Sequence, residues 1–139
     1  MTTKKQEKSQ PFRLTDRIRS FGYAFEGLWT LLKSQHNAWI HLAATVSVIA
    51  LGCWLNLSAP DWCWLVIAMV SVWTAEGLNT SLEFLADAAS PDFHPLIKKS
   101  KDVAAGSVLI AAMGSVVIGL LILGPPLWDK VLQMTSNGS

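Results

Sequence analysis

From Val103 to Leu123 the chain runs 21 residues without a charged side chain. A helix of that length is about 32 Å long, enough to cross a hydrocarbon layer of about 30 Å. Two further apolar segments accompany it. One runs from about Ala38 to Leu55, with His41, Thr45 and Ser47 as polar exceptions, and the other from Trp62 to about Leu85. Only 15% of the 139 residues are charged, against about 25% in an ordinary soluble domain. The expectation is one compact all-α membrane unit. Cys53 and Cys63 lie near span ends and lack the spacing to His or further Cys that a zinc site needs. Met1 to Arg19 is polar and basic, without an apolar stretch of signal type.

The turn between the first two spans, Asn56 to Asp61 with Pro60, is short enough to force an antiparallel hairpin. Pro125 and Pro126 are expected to end the third span. Basic residues then set the orientation. Lys4, Lys5, Lys8, Arg13, Arg17, Arg19 and Lys33 precede the first span, and Lys98, Lys99 and Lys101 follow the second, leaving only Lys130 on the opposite side. The positive-inside rule places the N-terminus and the Ala88–Asp102 loop in the cytoplasm of a multi-pass inner-membrane protein. Trp54, Trp62, Trp64 and Trp128 then form a belt at the outer interface.

The second span carries Glu76, Asn79, Glu83 and Asp87 at steps of three, four and four, along one helical stripe. A carboxylate in hydrocarbon costs several kcal/mol and persists where it faces a bundle interior, a partner charge or a metal. Such a stripe is either a functional site or a structural polar seam between helices. Glu76 lies fourteen residues beyond Trp62, roughly 21 Å deeper, so the stripe sits in the inner leaflet. Trp62 to Ala75 carries no charge, which argues against a proton or ion path through the outer half.

Before the first span, Leu14, Ile18, Phe21, Phe25, Leu28, Trp29 and Leu32 recur at three and four, with Arg13, Asp16, Arg17, Arg19 and Glu26 on other faces. That pattern is an amphipathic helix lying in the interface. Ser107, Ala111, Ser115 and Gly119 form a small-residue ridge on the third span that admits close helix contact. Three spans make a thin bundle, so subunits are expected to associate. The expected boundaries are a disordered segment over 1–11, a surface helix over 12–33, spans over about 38–55, 62–87 and 101–123, a single domain over 12–127, and a tail over 128–139 that is disordered from 130.

The run Glu76-Gly-Leu-Asn79-Thr80-Ser-Leu-Glu83-Phe-Leu-Ala-Asp87, a downstream His94, and Lys101-Asp102-Val-Ala-Ala-Gly106 together resemble the prokaryotic diacylglycerol kinase and undecaprenol kinase family. These are small trimeric membrane lipid kinases. The likeness extends over about Arg17 to Leu123 and includes Gly22-Tyr23-Ala24-Phe25-Glu26-Gly27-Leu28. It implies transfer of the γ-phosphate of ATP, with Mg2+, to the hydroxyl of diacylglycerol or undecaprenol. The Ala104-Ala105-Gly106 run leans towards the undecaprenol branch. Partners implied are ATP, a lipid substrate, the bilayer and two further copies of the chain, with no nucleic acid. Independently, phosphoryl transfer to an alcohol needs a metal, a cation on the phosphates and a proton acceptor, which the acids and the lysine cluster offer. The Gly-x-x-x-x-Gly-Lys-[Ser/Thr] loop of soluble nucleotide-binding folds does not occur.

By resemblance, Glu76 is the catalytic base and Asn79 its orienting neighbour. Glu83 is a metal ligand and nucleotide contact. Arg17, Tyr23, Asp92, Phe93, His94, Lys101 and Asp102 are ATP contacts, and Glu76 and Ala105 touch lipid. Where the family has Ser-Glu-x-Asn, with Glu as second metal ligand, this chain has Ser34-Gln35-His36-Asn37. Gln35 offers a neutral amide oxygen, which predicts weaker metal affinity. An inactive relative serving as a membrane scaffold is the competing expectation, and a small ion or proton transporter a third. Lys98 and Lys99 read as positive-inside anchors, Asp87 as a cap or lysine partner, and His41 as a helix-interface residue.

Overall fold

The computed structural model describes residues 14–90 and 92–136; the expectations for residues 1–13 and 137–139 lie outside them. Four helices follow in order: α1 Leu14–Ser34, α2 His36–Leu55, α3 Ala59–Ala89 and α4 Pro95–Ser136. The last three are long and apolar enough to cross a membrane. Their outward faces carry Val46, Ile49, Val66, Ile67, Val70, Ile110, Met113, Val116 and Leu120, all well exposed. That much exposed apolar surface suits lipid and not water. The chain is an all-α membrane protein.

α1 presents Leu14, Ile18, Phe21, Phe25, Leu28 and Trp29 outward, more than half exposed, and buries only Leu31. Its amphipathic pattern therefore has no protein core beneath it, consistent with a helix lying on a membrane surface. One residue separates α1 from α2. Gln35 is extended, at φ −117° and ψ 120°, and its N–H still donates to the Leu31 carbonyl at 3.1 Å.

The α2–α3 turn is tighter than the sequence suggests. Asn56 takes the left-handed conformation (φ 55°), and the amides of Asn56 and Leu57 close on the carbonyls of Cys53 and Gly52, both at 3.2 Å. Ser58 then caps α3 in a reciprocal box with Asp61, and Pro60 sits in the first turn, where no intrahelical donor is lost. α3 thus starts at Ala59 and not at Trp62. The Trp62 ring lies on Gly52: a Cβ there would meet it at 2.9 Å. We expect Gly52→Val to destabilise the protein by about 1–3 kcal/mol, read as a lower thermal midpoint in detergent.

α3 is the organising element. Leu65, Ala68, Val72, Glu76, Asn79, Thr80 and Ala86 are buried at helical spacing, so one continuous stripe runs from apolar to polar. α4 packs along it. The Ser115 hydroxyl donates to the Ala68 carbonyl at 3.0 Å, which places the expected small-residue ridge against α3.

Two expectations fail at the far end of α4. Pro125 and Pro126 lie inside the helix, which continues to Ser136. The segment from 130 is therefore helical through Ser136. Each proline removes one helical N–H, but Gly124 has no Cβ to clash with the ring that follows it. The Lys130 ammonium lies 5.3 Å from the Trp54 ring centre, tying this extension back to α2.

Candidate active site

Glu83 is the node of the polar cluster. One carboxylate oxygen accepts from the Gln35 side-chain amide at 2.8 Å, the other from the Asn79 amide at 3.1 Å. Asn79 is one turn before Glu83 on α3, so helical spacing supplies that contact. Gln35 reaches across because the α1–α2 break sets its side chain outside either helix. The structure thus unites three residues named from sequence. It also shows Gln35 offering nitrogen to Glu83, whereas a metal ligand would offer oxygen. The Gln35 assignment as ligand requires its amide to turn over.

Glu76 is 1% exposed and neither of its oxygens has a hydrogen-bond partner. Its neighbour is His41, whose Nε2 lies 3.8 Å from Glu76 Oε2. Sequence reasoning took His41 for an interface residue of α2 and missed this approach. The signal was available, since an ionisable group inside an apolar span is itself a pointer to function. Thr80 was also passed over. It is buried beside Asn79, and its hydroxyl has no partner.

Asp87 keeps its angular position on α3 but lies past the packed portion. Its side chain is 68% exposed and accepts from Lys101 at 2.9 Å. Asp87 is therefore a lysine partner and stands apart from the buried stripe. Lys98 pairs with Asp102 at 2.5 Å, one turn along α4. Both lysines sit in the first turns of α4, and Lys101 reaches the end of α3 through Asp87. His94 Nδ1 accepts from the Leu96 amide at 3.2 Å, capping α4.

The remaining expected contacts are spread along exposed surface. Tyr23 and Phe93 are 63% and 80% exposed, and Asp92 and Arg17 are exposed as well. Ala105 is exposed on α4. It is Ala104 and Ser107 that line the groove of about 860 Å³ between α3 and α4, with Asn79, Lys99 and Ser100.

Could these residues hold a divalent cation? Among the described residues no three His, Cys, Asp or Glu side chains gather. With the Gln35 amide turned over, the donors are all oxygens: the Glu83 carboxylate, the Gln35 amide and the Asn79 Oδ1, which is buried without a partner. Mg2+ prefers such hard ligands and is held by one or two carboxylates plus substrate phosphates. The donor set fits that group.

Residues 22–123 match the prokaryotic diacylglycerol kinase family. The chain is 36% identical over 110 residues to the undecaprenol kinase of Bacillus subtilis (strain 168), covering 79% of this chain and 89% of the relative. It is 38% identical over 109 residues to a diacylglycerol kinase of Synechocystis sp., covering 78% of this chain but 62% of that longer protein. Identity to the diacylglycerol kinase of Escherichia coli (strain K12) is 27% over 113 residues, 76% of this chain and 87% of the relative. With a matched region that takes in α2, α3 and the polar cluster, the chain belongs to the prokaryotic diacylglycerol kinase family.

Proposed function

We propose that this membrane lipid kinase uses ATP with Mg2+, works at the cytoplasmic face of the inner membrane with its N-terminus inside, and carries Glu76 as the base. The observation that carries the reading is a buried carboxylate that makes no hydrogen bond, one turn from an organised polar cluster. When bound, Mg2+ would neutralise phosphate charge, with Glu83, Gln35 and Asn79 as the protein's ligands. Glu76 accepts the proton of the lipid hydroxyl as its oxygen bonds to the γ-phosphorus. The bond from that phosphorus to the bridging oxygen breaks, ADP leaves with the electron pair, and the lipid carries the new phosphate. Lys101 and Lys98 already hold carboxylates, Asp87 and Asp102, so phosphate oxygens would exchange into existing cation sites.

Tyr23, Arg17, Asp92, Phe93, His94, Lys101 and Asp102 fall into the same reading as nucleotide contacts, and Ala105 as a lipid contact. So does the homotrimer, which the wide groove between α3 and α4 and the thinness of the bundle support. For the acceptor we favour undecaprenol. The Ala104-Ala105-Gly106 run supports it.

Purified protein assayed side by side with undecaprenol and diacylglycerol tests both levels of the reading. The expected result is Mg2+-dependent transfer from ATP, with higher kcat/KM on undecaprenol. Preference for diacylglycerol would overturn the choice of acceptor. No transfer to either lipid would overturn the kinase reading of the site.

A further inference from the structure

Glu76 has no hydrogen bond to hold its carboxylate, yet a base must be aimed to work. Charged side chains on the neighbouring elements have partners of their own. Glu83 accepts from Gln35 and Asn79, and Lys101 on α4 is held by Asp87. On α1, Lys33 lies over the Trp29 ring. The group that approaches is His41 on α2, 3.8 Å from Oε2, a gap that a small side-chain rotation closes to a hydrogen bond.

His41 is itself held in place. The Trp73 ring meets it edge-on, with centres 6.4 Å apart and planes at 68°. The Trp73 indole N–H in turn donates to the Thr45 hydroxyl at 3.0 Å. Thr45 is one turn beyond His41 on α2, so a bond from α3 back to α2 fixes the indole that supports the imidazole. His41 also lines a groove of about 500 Å³ between α2, α3 and α4. The other polar side chains of that groove are occupied, Thr45 by Trp73 and Ser115 by the Ala68 carbonyl.

We propose that His41 is a positioning residue for phosphoryl transfer, its imidazole holding the Glu76 carboxylate in the orientation from which it takes the lipid hydroxyl proton. The proposal rests on Glu76 being the base. Thr45 and Trp73 serve it indirectly, by keeping the imidazole turned towards α3.

The test uses the full chain in vesicles and two readouts. Subtracting the infrared spectrum of Glu76→Gln from wild type isolates the Glu76 carboxyl band, with no need for turnover. In a His41→Leu background the band should shift, and in His41→Gln, which keeps an N–H donor, it should return towards its wild-type position. Kinetically, His41→Leu should lower kcat by about 10- to 100-fold with the KM for ATP unchanged, and His41→Gln should recover much of the loss. A band that stays in place in His41→Leu overturns the proposal. So does a kcat that falls only in step with the thermal midpoint, with His41→Gln no better than His41→Leu. Should the leucine variant fail to fold, His41→Asn, whose shorter amide stops short of Glu76, takes its place in both readouts. A wild-type protein that phosphorylates no lipid would count against Glu76 as base, while the infrared band would still decide whether His41 holds it.

Discussion

Glu76→Gln is expected to all but stop lipid phosphorylation and to leave the fold intact. The amide has the size and shape of the carboxylate but does not accept the lipid proton at neutral pH, so the loss in kcat should reach roughly 10²- to 10⁴-fold, the usual contribution of a general base. Stability should not fall. The wild-type carboxyl group is 1% exposed and neither oxygen accepts a hydrogen bond, so an amide of the same shape gives up none. Steady-state kinetics together with a thermal melt read both quantities. A variant that keeps more than a tenth of the wild-type kcat would remove Glu76 from the chemistry. One that loses activity and several degrees of melting temperature together would make it a structural residue.

The second large effect concerns Glu83 and its two amide partners. Glu83→Gln removes the one anionic donor among the three oxygens suited to Mg2+, and its single amide oxygen leaves one of the Gln35 and Asn79 N–H groups without an acceptor. The Mg2+ concentration for half-maximal activity should rise at least 10- to 100-fold, and the lost hydrogen bond should cost about 1–3 kcal/mol. The reciprocal change separates the two causes. Gln35→Glu sets a second carboxylate where an N–H donor now sits 2.8 Å from Glu83. Without Mg2+ the like charges repel and the melting temperature falls; with Mg2+ it recovers and the half-maximal concentration drops below wild type. Melting curves with and without Mg2+, in the absence of ATP, read the effect without catalysis. A Gln35→Glu melting point indifferent to Mg2+ would place Gln35 outside the metal's reach.

Much of the architecture is legible in one dimension because the membrane imposes its rules locally. Uncharged runs give α2, α3 and α4, and the three- and four-residue spacing from Leu14 to Leu32 gives α1. The end of α4 is misread because proline's effect depends on its predecessor, and here Gly124 spares the first of the two rings a clash. In the candidate site, Glu76, Asn79 and Glu83 are legible because they share one helix and one face. Gln35 stands out as a departure from the family pattern, but its donor role is set by a contact 48 residues away. His41 and Glu76 lie 35 positions apart on different helices, so no local pattern joins them. Asp87 shares the spacing of the stripe but not its burial, because packing ends before α3 does.

The single extended residue between α1 and α2 has a consequence for how such chains vary. Gln35 both joins the two helices and reaches Glu83. Adding or removing one residue there would rotate α1 by about 100° about its own axis relative to α2. The apolar face of α1 would turn off the bilayer, and the amide would be carried away from α3 in the same step. Length at this junction is therefore constrained far more tightly than composition. A substitution that keeps a hydrogen-bonding side chain at position 35 can be absorbed here, while an insertion or deletion cannot.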